Sequence, residues 1–144
     1  MISKIICVSR TAAENTIGWD NWAVISINEP GNSNGEVKLQ RGWYAISRVN
    51  FHDTDLSQLS DESHILLDNM HALEIVDFAH AVAPHVEGIM VHCKAGISRS
   101  PAVAKWIAET FIVPFNHNYG SYNKFVYNQL VAAAKVRSRR PNNG

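Results

Sequence analysis

An apolar run from Gly88 to His92 ends on a thiol, Cys93, and six positions later Arg99 and Ser100 lead into Pro101, which opens a stretch of helical composition reaching Phe111. So short a connection between a strand end and a helix start turns its backbone N–H groups toward its own centre, where the helix dipole adds positive potential. Such a loop binds an anion. Gly96 has access to backbone conformations closed to other residues, so Lys94, Ala95, Gly96, Ile97 and Ser98 can curl closely around a tetrahedral group. Arg99 adds a planar fork able to hold two oxygens of that group. The same field favours thiolate over thiol and draws Cys93 below the free value of about 8.5. A thiolate under an anion cradle points to attack on phosphorus. Ser100 is placed to hydrogen-bond the sulfur, and His92 to brace the loop from the strand side through backbone carbonyls.

The rest of the chain supplies a frame for that loop. Lys4–Ser9 and Trp22–Ile27 are β-branched and aromatic rich and read as strands, with a polar segment between them that suits a short helix; Trp43–Phe51 is a third strand. Pro-Gly and Asn-Gly pairs make Asn28–Gly35 a surface loop, and the polar stretch His52–Ser63, which carries Asp53, Asp55 and Asp61, a second one. Leu66, Met70, Leu73, Val76, Ala79 and Ala83 recur at spacings of three and four, which predicts an amphipathic helix over Ser63–Pro84. Tyr122, Phe125, Val126, Leu130 and Ala133 predict a last helix over Tyr119–Val136, followed by a polar, frayed tail, 137–144. Strands alternating with helices imply an α/β fold: one domain, with a mostly parallel central sheet flanked by helices.

Composition narrows the function classes. With 144 residues, 46% hydrophobic and 18% charged, the chain suits one globular domain with a core and leaves no room for a second. Lysine plus arginine equals aspartate plus glutamate at 13 each, so no overall charge directs it to nucleic acid or to a membrane surface. Its apolar runs fall far short of the roughly 20 residues of a membrane helix. Ser9 and Arg10 interrupt the first such run, unlike a secretory signal. A cytoplasmic setting is expected, in which Cys7 and Cys93 stay reduced.

The full run His92-Cys93-Lys94-Ala95-Gly96-Ile97-Ser98-Arg99-Ser100 resembles the phosphate-binding loop of the cysteine-dependent protein tyrosine and dual-specificity phosphatases. Val24–Ile27, Asn50-Phe51-His52-Asp53, Ile75–Ala79 and Ser100–Ala104 extend the likeness to a compact bacterial and viral branch of these enzymes. The resemblance implies a catalytic domain over residues 1–136 that hydrolyses a phosphorylated protein or small phosphomonoester without metal or organic cofactor. It also implies a cysteinyl-phosphate on Cys93 and a general acid upstream. Phe51-His52-Asp53 is similar to the family's acid loop, which makes Asp53 the first candidate, with Asp55 and Asp61 behind it. Two other classes stay open: a phosphate-binding regulatory module, and an RNA 5′-phosphatase on the same loop.

Other residues have plainer readings. Cys7 lies in an apolar strand with no arginine loop and reads as core. His64, His71, His80 and His85 lack metal-ligand spacing, so no metal site is expected. Trp19 and Trp22 read as packing beneath the sheet, and Arg137, Arg139 and Arg140 as a solvated tail with no nucleic-acid partner. The run His92-Cys93-Lys94-Ala95-Gly96 also resembles the loop of the superfamily's lipid phosphatases, which implies that Lys94 could attract a second acidic group, although Ile97, standing where those enzymes carry another lysine, argues against a polyphosphorylated inositol substrate.

Overall fold

The computed structural model describes residues 1–30, 37–53, 66–116 and 118–139. Four strands, β1 (Lys4–Ser9), β2 (Trp22–Asn28), β3 (Ala45–Asn50) and β4 (Gly88–Cys93), form one sheet in the order β1-β4-β2-β3, and all three pairings are parallel. The sequence of the strands explains the order. Trp22–Asn28 and Gly88–Cys93 are buried along their whole length, as near-continuous apolar strands of a parallel sheet must be, and they take the two central places. Lys4–Ser9 mixes exposed and half-buried positions, Ala45–Asn50 does the same around one buried residue, Val49, and these two strands form the edges.

Strand periodicity sorts side chains to two faces. Ala23, Ile25, Ile27, Ile89, Val91 and Cys93 join the main core, beneath α2 (Asn69–Val82), α3 (Arg99–Phe111) and α4 (Lys124–Arg139). Fully buried residues such as Ile25, Ile89 and Ile107 each contribute about 1.5 to 3 kcal/mol through loss of water contact. The opposite face carries a smaller cluster of Trp22, Val24 and Met90 with Ala13 of the short helix α1 (Arg10–Glu14). Gly88 makes that cluster possible, since a Cβ there would stand 2.5 Å from the Trp22 ring. None of the described helices is long and apolar enough to cross a membrane.

The helices differ from the sequence expectation at their ends. Rather than near Ser63, α2 starts at Asn69, because Asp68 Oδ1 accepts from the His71 amide at 2.7 Å and caps it; residues 63–65 lie outside the described part. Its buried face is Ala72, Ile75, Val76, Ala79 and Val82, whereas Met70 is 74% exposed. Val76 and Ala79 are shared with the expected face, and the rest of the buried stripe is shifted from Met70 and Leu73 to Ala72 and Ile75. Helix α4 begins at Lys124, five residues later than expected at Tyr119, and runs past Val136 to Arg139. Arg137 is not a loose tail residue: its Nε and Nη2 reach the two carboxylate oxygens of Asp77 at 2.8 and 2.6 Å. Trp22 is buried as expected, but Trp19 is 59% exposed and meets Trp22 edge-on instead of packing beneath the sheet.

A parallel sheet places all its strand C-termini on one edge. Here Ser9, Asn28, Asn50 and Cys93 reach that edge together, with the loop after β4 flanked by the ends of β1 and β2. In open α/β sheets this edge is where ligands bind.

Candidate active site

The loop between β4 and α3 closes on Cys93. The Gly96 amide donates to its Sγ at 3.2 Å, and Ser100 Oγ lies 3.3 Å from the same sulfur. Gly96 has φ +74°, and a Cβ there would lie 2.7 Å from the carbonyl carbon of Val8, so both conformation and space demand glycine. The Arg10 amide donates to the Lys94 carbonyl at 3.1 Å and ties the loop to the end of β1. Cys93 is 2% exposed. Burial works against a thiolate, but hydrogen bonds from the Ser100 side chain and the Ser100 and Gly96 amides, with the charge of Arg99, outweigh it and hold the thiol below its ordinary value. Cys7, one strand away, is pushed up to about 12 by burial and by its neighbour Cys93, with only Ser100 acting in the opposite sense. The two thiols are thereby set apart chemically.

Arg99 opens α3 and is 3% exposed. Its Nη1 donates to the Phe51 carbonyl at 2.8 Å and its Nη2 to Glu29 Oε1 at 2.7 Å. Among the described residues its Nε has no hydrogen-bond partner. A buried charged donor left unpaired is costly, and an acceptor such as an oxyanion would satisfy it. Glu29 and the Phe51 carbonyl follow the C-terminal ends of β2 and β3, so two strand ends hold the guanidinium from below.

His92 is fully buried on the opposite face of β4, where its Nε2 pairs with Ser26 Oγ at 2.6 Å. Asn28 Nδ2 donates to the same Ser26 Oγ at 3.0 Å, and Asn28 Oδ1 accepts from the Val37 amide at 3.1 Å. Burial first, then the charges of Arg10, Arg48 and Arg99, outweigh a backbone contact with Cys93 and lower the imidazole to about 4. His92 is therefore a neutral brace rather than a proton donor at neutral pH.

Asp53 stands at the other rim. Its Oδ1 accepts from Ser98 Oγ at 2.8 Å and from Asn123 Nδ2 at 2.9 Å, which puts a carboxylate in direct contact with the loop. Asp55 and Asp61 lie outside the described residues. Lys94, Ala95 and Ile97 are exposed, and the Ile97 carbonyl accepts from the Tyr119 hydroxyl. Cys93, Gly96, Ser98, Arg99, Ser100 and Asp53 thus meet at one place. Sequence reasoning missed Glu29, which it put in a surface loop, together with Ser26, Asn28, Tyr119 and Asn123. Of these only Asn123 carries a local signal, that of an N-cap residue type, and the expected helix start at Tyr119 concealed it. Among the described residues no group of three His, Cys, Asp or Glu side chains is arranged to hold a metal ion.

The single parallel sheet with helices on its faces is similar as a fold to a solved structure, that of the human tyrosine phosphatase-like serine/threonine/tyrosine-interacting protein. The fold is tyrosine phosphatase-like. The likeness covers 93% of each chain at a TM-score of 0.52 and 16% sequence identity. No protein-family model and no curated protein matches the sequence.

Proposed function

We propose that the protein is a phosphomonoester hydrolase of the protein tyrosine or dual-specificity type, acting through a cysteinyl-phosphate, and that it belongs with the compact bacterial and viral members. The observation that carries this reading is the hold on Cys93 Sγ by the Gly96 amide at 3.2 Å and Ser100 Oγ at 3.3 Å, beside a buried Arg99 whose Nε donor is unpaired among the described residues. The thiolate attacks phosphorus as the bond to the leaving oxygen breaks, and Asp53 gives that oxygen a proton. Water then attacks the phosphoryl group, Asp53 takes a proton from it, and the sulfur leaves as thiolate, eased by the Ser100 hydroxyl. Arg99 and the amides of Lys94 to Ser98 hold the equatorial oxygens throughout, so rate enhancement is mainly electrostatic. The substrate is a phosphorylated protein or a small phosphomonoester, and the free thiol suits a reducing compartment such as the cytoplasm.

The test is hydrolysis of an aryl phosphate. Cys93→Ser should abolish turnover while inorganic phosphate still binds, and Asp53→Asn should lower turnover about 100-fold or more. Wild-type protein that binds phosphate and hydrolyses nothing would establish the second reading, a phosphate-binding module. That reading draws support from the description of the human neighbour as phosphatase-like and interacting. Intact Cys93, Arg99 and Ser100 weigh against it.

A further inference from the structure

We infer that Asn123 is a positioning residue for the general acid, an inference that rests on the hydrolase reading and names a part of the same site. Asn123 immediately precedes α4, and three of its hydrogen bonds lead in different directions. Its Oδ1 accepts from the Val126 amide at 3.0 Å and caps the helix. Its backbone amide donates to the Ser98 carbonyl in the phosphate loop at 3.0 Å. Its Nδ2 donates to Asp53 Oδ1 at 2.9 Å. The carboxamide orientation is settled by chemistry, since a helix N–H needs the oxygen and a carboxylate needs the nitrogen.

Asp53 sits on a segment without regular structure after β3, so its side chain needs outside support to hold one orientation. Two donors supply it, Ser98 Oγ from the phosphate loop and Asn123 Nδ2 from the start of α4, and both end on Oδ1. An oxygen that accepts two hydrogen bonds is the poorer site for a proton. The transferable proton therefore belongs on Oδ2, and Asn123 decides which oxygen of Asp53 meets the leaving group. Because Asn123 is also bonded to the Ser98 carbonyl, the acid is referenced to the loop that holds the phosphoryl group, as transfer in line with Cys93 requires.

The cap and the acid contact can be separated. Asn123→Ser keeps an N-cap oxygen for the Val126 amide but is too short to reach Asp53, while Asn123→Asp keeps the cap and faces Asp53 with a second carboxylate. The experiment is kcat/KM on phenyl phosphate, whose leaving oxygen is basic and needs a proton, and on a dinitrophenyl phosphate, whose leaving oxygen does not. Asn123→Ser should lose about tenfold on phenyl phosphate and stay within about twofold on the dinitrophenyl ester, with Asn123→Asp losing more on the first substrate. In an Asp53→Asn background the Asn123 substitutions should have no further effect on either. Equal losses on both esters, or losses that persist without the Asp53 carboxyl, would overturn the inference and leave the hydrolase reading standing. Absence of any Cys93-dependent turnover by the wild-type protein would overturn both.

Discussion

Arg99 Nη2 lies 2.7 Å from Glu29 Oε1, so a side chain from the first turn of α3 ends on a carboxylate just beyond β2. The contact fixes the guanidinium plane before any ligand arrives, and a fork already in place spends less entropy on holding two phosphate oxygens. Glu29→Ala should weaken the binding of inorganic phosphate about tenfold, equivalent to about 1.4 kcal/mol, measured by calorimetry. Glu29→Gln retains an acceptor oxygen and should fall between. Because the Arg99 side chain is only 4% exposed but that of Glu29 is 28% exposed, the stability loss in Glu29→Ala should be about 2 kcal/mol, less than for a fully buried pair. Unchanged phosphate affinity in Glu29→Ala would refute the positioning role.

The two cysteines should react very differently. Burial and the neighbouring Cys93 raise Cys7 to about 12, whereas Ser100, Gly96 and Arg99 overcome burial to lower Cys93. Iodoacetamide at neutral pH should add one label, on Cys93, read by peptide mass spectrometry, and inorganic phosphate should protect it. Ser100→Ala removes a hydrogen bond that favours the thiolate, so the pH at which alkylation becomes half-maximal should rise. The same substitution should slow breakdown of the cysteinyl-phosphate and make the burst of released aryl alcohol more prominent.

His92 should make the fold acid-sensitive over a defined window. Its ordinary value is 6.5 and its folded value about 4, so between these pH values the unfolded chain binds the proton and the folded chain does not. Stability from this group is complete above about pH 6.5 and is lost progressively as pH falls toward 4, by about 3 kcal/mol in all. Urea melts of wild type and His92→Asn across this range should show a flatter acid limb for the variant. An equal slope in both proteins would assign the acid sensitivity to other groups.

Gly96→Ala tests the loop backbone itself. At φ +74° with Val8 backbone 2.7 Å from the new methyl, the loop must open or strain. The expected cost is roughly 2 to 3 kcal/mol, read as a lower melting temperature. Turnover should fall about 100-fold, since displaced amides no longer meet the phosphoryl oxygens. Wild-type turnover in this variant would show that the Gly96 amide is not part of the cradle.

The features legible in the sequence are the local ones. The Gly88–Cys93 strand, the glycine-bearing loop and the Pro101-containing helix are neighbours in the chain, so spacing, backbone freedom and the helix dipole are enough to place Cys93, Arg99 and Ser100 in one tight turn. The parallel α/β frame was legible for the same reason, since buried strands and amphipathic helices announce themselves by composition and period. What those groups touch depends on long-range packing. Ser26 meets His92 across 66 positions, Asp53 meets Ser98 across 45, and Glu29 meets Arg99, like Asn123 meets Asp53, across 70. Which strand ends become neighbours depends on strand order, and strand order follows from burial summed over the whole sheet rather than from any segment's own residues. A glutamate just before a Pro-Gly turn signal carries no local mark of the arginine it will hold; only the packing of β2 against β4 brings the two within reach.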